Sequence, residues 1–138
     1  MTAEPSTRRA YLTVVSTHHT PWDLEQRLGV APDAATHAVA PDEPSRRRHR
    51  DENTWELHEE GASDADITDL LESLHARAAS LTPKLRALKD EGCTIVLRLS
   101  LRFSPADVSG AGFAITRPLI EWLDEARIEF VDVDQYIF

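Results

Sequence analysis

The chain has 138 residues, 41% hydrophobic and 28% charged, with a formal net charge of -9 and a pI near 5. That length and balance suit a single globular domain and exclude a disordered chain, and no apolar run approaches the roughly 20 residues that span a bilayer. An acid excess of this size repels a phosphate backbone, which argues against nucleic acid as a partner.

Met1 to Arg8 is polar and is expected to fray. The stretch to Arg9 has no apolar core of a secretory leader, and the single cysteine, Cys93, has no partner for an internal disulfide. A cytoplasmic location with Cys93 as a buried structural thiol is the expectation. Ala10 to Ser16 is rich in strand formers. Thr20 followed by Pro21 predicts a capped helix, with Asp23 at its positive end, Leu24 and Leu28 on one face and Gly29 as its stop.

Ala34 to Ala40 is weakly extended, and Asn53 to His58 is extended with Trp55 and Leu57 on one side; together they predict a hairpin. Residues 41 to 52 between them form a charged loop containing Pro41 and Pro44. Its cluster, Arg46, Arg47, Arg48, His49 and Arg50, is balanced by Asp42, Glu43, Asp51 and Glu52, so a solvated loop is expected rather than a binding patch.

From Asp64 to Leu88 the residues Ile67, Leu70, Leu71, Leu74, Ala78, Leu81, Leu85 and Leu88 recur at spacings of three and four, the longest helical pattern in the chain. Pro83 cannot sit inside a helix but suits a first turn, so Thr82-Pro83 predicts a second short helix or a kink, ending at Gly92. The stripe is expected to cover the sheet, each buried leucine contributing about 1.5 to 3 kcal/mol before entropy.

Thr94 to Phe103 is the sharpest signal. Ile95, Leu97, Leu99, Leu101 and Phe103 alternate with Arg98, Ser100 and Arg102, so one sheet face packs on a core and the other meets water. One-sided burial points to antiparallel pairing with helices confined to one side. A turn over Ser104 to Ser109 and the Gly110-Ala111-Gly112 run lead into a short strand, Phe113 to Ile115. The lone Gly-x-Gly lacks the third glycine and the strand-then-helix setting of a dinucleotide site. Thr116 and Pro118 then start a helix with Leu119, Ile120, Leu123 and Ala126 on its apolar side and Trp122 at the border. Ile128 to Phe138 closes the chain as a half-buried strand, Val131, Val133 and Ile137 alternating with Asp132, Asp134 and Tyr136.

The fold expected is therefore α+β, one domain over residues 1 to 138 with a single mostly antiparallel sheet and helices packed on one face. Its order is strand, helix, strand, strand, helix with a short second helix, strand, strand, helix, strand.

Several residues at the joints point to a family. Pro21-x-x-Leu24 with Leu28-Gly29 and Pro32, then Trp55, the leucine-rich helix pair, Gly112-Phe113, and Asp134-Gln135-Tyr136 resemble a family of small bacterial domains of unknown function. The resemblance spans Tyr11 to Tyr136. It implies a compact, stand-alone, cytoplasmic α+β protein with no activity to carry over, its members differing most in the Arg46 to Arg50 loop.

No catalytic residue stands out. Carboxylates are abundant, but none is visibly placed in an apolar pocket; Cys93 has no histidine in a known pattern, and no serine sits in a nucleophile elbow. The six histidines, His18, His19, His37, His49, His58 and His75, have no metal-ligand spacing. The side chains of adjacent His18 and His19 are expected to diverge, and His75 with Glu72 reads as an exposed helix pair. No metal or cofactor is expected.

The candidate binding residues are Arg98, Arg102, Asp132, Asp134 and Trp22. Asp132 and Asp134 share a sheet face and would pair with Arg98 and Arg102 if the last strand neighbours Thr94 to Phe103. Among the tryptophans only Trp22 lies naturally at an exposed helix start. These features favour a noncatalytic protein-interaction domain, an immunity-type protein being one example that opposes a basic partner by charge. The rival is a small enzyme or ligand-binding protein with a pocket between sheet and helices.

Overall fold

A computed structural model of the chain describes residues 6–38, 51–62, 64–106 and 112–138. The Arg46 to Arg50 cluster, most of the charged loop, residues 1–5 and Gly110-Ala111 lie outside these. Five strands form one sheet: β1 (Thr7–Ser16), β2 (Ala34–Thr36), β3 (Asn53–Gly61), β4 (Thr94–Phe103) and β5 (Phe130–Ile137). Their order across the sheet is β2-β3-β1-β4-β5. The helices are α1 (Pro21–Leu28), α2 (Ile67–Ala78), α3 (Thr82–Asp90) and α4 (Arg117–Glu125), with a 3-10 turn at Ala79–Leu81. This is the expected α+β architecture.

Local chemistry sets the helix ends. Thr20 Oγ1 accepts from the Asp23 N–H at 3.2 Å while Asp23 Oδ2 accepts from the Thr20 N–H at 3.1 Å, a reciprocal box that satisfies two end donors of α1. The Thr20 backbone N–H, and after it the Thr20 side chain, bond to the ionised form and hold the Asp23 carboxyl below its ordinary value. Gly29 ends α1 in the left-handed region at φ 74°, where a side chain would be strained. Asp66 caps α2 through the Thr68 N–H at 2.8 Å. Pro83 lies in the first turn of α3, so the long helical pattern is delivered as two helices joined by the 3-10 turn.

The register shows why one face is dry. Leu12 lies opposite Leu57 on one side and Leu97 on the other, so residues of one parity from β1, β3 and β4 form a continuous apolar surface. Against it pack Leu24 and Leu28 of α1, Ile67, Leu70, Leu71 and Leu74 of α2, Leu85 and Leu88 of α3, and Leu119 and Trp122 of α4, all in one cluster. Trp55 is fully buried, and its indole N–H donates to Val30 O at 3.1 Å.

Six features depart from the sequence reading. β1 begins at Thr7, ahead of Ala10: Ser6 and Arg8 are buried, Arg8 donating to Ala65 O with its guanidinium 5.3 Å from the Phe103 ring centroid. β2 is cut to three residues at the sheet edge. Residues 112–116 form no strand; Ala114 N–H donates instead to Thr68 Oγ1 at 3.0 Å, and Phe113 packs on the core. β5 pairs with β4 in parallel, not antiparallel. The connection from Phe103 to Phe130 contains α4 and returns the chain to the same end of the sheet, which a tight hairpin cannot do. β5 is also far less buried than expected, with Val133 42% exposed, because it is an edge strand. Finally, Trp122 is buried rather than peripheral and stacks on His75 at 4.9 Å, whereas Ile120 is exposed.

Candidate functional site

The face of the sheet away from the helices carries the opposite parity. Across it run His58, Tyr11, Arg98 and Asp132 in one row and Glu60, Arg9, Ser100 and Asp134 in the next. Arg102 and Tyr136 are paired in a further row. Thr13 and Val96, in the row containing Glu56 and Phe130, are buried although they lie on this face. This face is thus dry in the Thr13–Val96 row and more exposed in the rows of Tyr11, Arg9 and Arg98 beyond it.

Four of the five candidate residues meet at the β4–β5 end of this face. Arg98 Nε lies 3.9 Å from Asp132 Oδ2, the cross-strand pair anticipated, with both side chains about half exposed. Such a pair contributes roughly 0 to 1 kcal/mol. Arg102 is opposite Tyr136 rather than Asp134, since the matching acid falls at Ser100. Its guanidinium lies 5.7 Å from the Tyr136 ring centroid and 5.6 Å from that of Phe138. Ser100, Leu101, Arg102, Asp134 and Tyr136 line a depression of about 260 Å³. Sequence reasoning missed Tyr136, Phe130 and Phe138 as members of this site, although the alternation in the last strand already put Tyr136 beside the acids.

Trp22 is not part of it. It is 66% exposed at the start of α1 and lies 5.4 Å from the His37 ring. With Pro21, Glu25, Pro32, Ala35 and His37 it lines a separate groove of about 240 Å³ near β2, the opposite sheet edge.

A second cluster lies where β1 ends and β4 begins. His18 and His19 do not diverge: their rings are 4.5 Å apart at 46°. Ser16 Oγ accepts the N–H of His18 at 3.2 Å and of His19 at 2.9 Å, folding the chain back on itself after β1. The ligand atoms of His18, His19 and buried Cys93 lie within 4.8 Å of one another. Burial pushes the Cys93 thiol above its ordinary range, opposed in part by a hydrogen bond with Ser16. Beside them Glu91 is held by a two-pronged contact with Arg27, which keeps its carboxyl below the usual range. Spacing in the sequence had no means of showing this cluster, because Cys93 arrives from a distant strand.

An antiparallel core sheet with one parallel edge strand, covered on one side by helices, defines a small α+β domain, and four of the candidate residues lie on the sheet face away from those helices. The chain belongs to the family described as a domain of unknown function, DUF4279, whose model matches residues 5–138. No curated protein and no solved structure matches it. Among the described residues no helix is long and apolar enough to cross a membrane.

Proposed function

We propose that the protein is a noncatalytic interaction domain that presents the β4–β5 end of its open sheet face to a basic protein partner. One observation carries the reading: β5 is an eight-residue edge strand with Phe130, Asp132, Asp134 and Tyr136 exposed on the open face. Aromatic side chains supply contact area at small entropic cost, and the carboxylates, on a chain of net charge -9, attract and orient a cationic surface. The same acids on the strand edge discourage pairing with a second copy. An immunity-type role, in which the partner is a basic toxin, is the finer form of this proposal.

The reading of a pocket between sheet and helices has less support, since that layer is filled by Leu12, Leu57, Leu71, Leu74, Leu85 and Leu97, all buried. The test is recovery of a basic protein from native host lysate by the immobilised chain, compared with an Asp132→Lys, Asp134→Lys double variant of unchanged circular dichroism. Recovery that falls with salt and is lost in the variant supports the proposal. Equal recovery by both chains refutes it.

A further inference from the structure

We propose that His18, His19 and Cys93 form a binding site for a zinc-class transition-metal ion, a property independent of the β5 surface. Two imidazoles and a thiol are the donor set that borderline metals such as zinc select over calcium or magnesium, which take oxygen. The three ligand atoms already lie within 4.8 Å of one another. Zinc bond lengths of about 2.0 to 2.3 Å place tetrahedral ligands roughly 3.4 to 3.7 Å apart. Side-chain adjustments of about 1 Å therefore close the site, with no backbone rearrangement.

Independent observations support it. His19 Nε2 is buried without a hydrogen-bond partner, and Glu91 Oε1 lies 3.3 Å away. A buried imidazole nitrogen left so is costly unless something else coordinates it. The backbone is also fixed on both sides: the two histidines by the Ser16 hydroxyl, Cys93 by its N–H bond to Leu88 O at 3.0 Å and its place next to β4. Glu91, held by Arg27, adds negative charge beside His19, which favours a cation there. With three protein ligands and His18 exposed, the fourth position opens to water. Cys93 binds as thiolate, its proton passing to solvent.

The test is titration of the full chain, stripped with chelator, using cobalt(II) as the spectroscopic probe and zinc as competitor. The expected result is one equivalent bound, with a thiolate-to-cobalt charge-transfer band and the visible absorption of a tetrahedral ion, both abolished by zinc. His18→Ala, at an exposed position, keeps the fold and lowers affinity by more than about 100-fold, the upper range for losing a mere supporting residue. Cys93→Ser removes the charge-transfer band. Absence of that band in the unmodified chain, or binding by His18→Ala within a few-fold of the unmodified chain, overturns the assignment.

Discussion

Leu99 and Val133 are neighbours in register and point to the same side of the sheet, yet Leu99 is 1% exposed and Val133 42%. Truncating each to alanine isolates what the helical cover contributes. Leu99→Ala removes buried carbon worth about 0.8 kcal/mol per methylene, roughly 2.4 kcal/mol in all, and leaves a cavity that raises the loss to about 3 to 4 kcal/mol. An unfolding entropy of about 2.1 cal/mol/K per residue over 138 residues converts this to a fall in melting temperature of roughly 10 to 14 °C. Val133→Ala removes less carbon from a site already in contact with water, and its loss stays below about 1 kcal/mol. Urea denaturation of both variants, with an unchanged m-value as the check that the denatured state is the same, measures the two losses. Equal losses would show that the helices cover β5 as fully as β4 and would refute the account of an exposed edge.

Asp33 is bonded by Arg77, at 3.1 Å and 2.7 Å to its two oxygens, and by the His58 N–H at 2.9 Å, which hold its carboxyl below the ordinary value. A lowered folded-state pKa gives stability that is present above the ordinary value and lost as pH falls through the lowered one. Asp33→Asn is therefore less stable than the unmodified chain at neutral pH, and the gap narrows as pH drops below about 4, measured by urea midpoints across pH. Gly29→Ala forces a β-carbon into the left-handed region and places it 3.2 Å from Lys84 Nζ, whose bond to Leu28 O must shift; a loss of about 1 to 2 kcal/mol is expected in the same assay.

The elements that the sequence makes plain are those whose cause is local. The alternation of β4, the Thr20 cap, Gly29 and the Pro83 break depend on residues close in sequence, and the structure places them as expected. What fails is information carried by the partner. The parity of β5 says which residues share a face, and so brings Asp132 to Arg98, but not which way the strand runs or that Val133 and Ile137 stay exposed. Trp122 looks peripheral along its own helix and is buried because His75 of another helix lies flat against it. His18 and His19 diverge in an extended strand, but the turn made by Ser16 bends them together. Phe113 to Ile115 has strand-like residues and no sheet edge to join, so it runs through the crossover instead.

The first strand of the chain lies in the middle of the sheet, with β3 on one flank and β4 on the other. During synthesis β1 emerges first, yet the second of its two rows of backbone hydrogen bonds waits for Thr94–Phe103. Until then the nascent polypeptide has an unfilled seam at its centre, and most of it must leave the ribosome before the greasy underside can close. Folding should thus be late, all at once and slowed by these distant pairings.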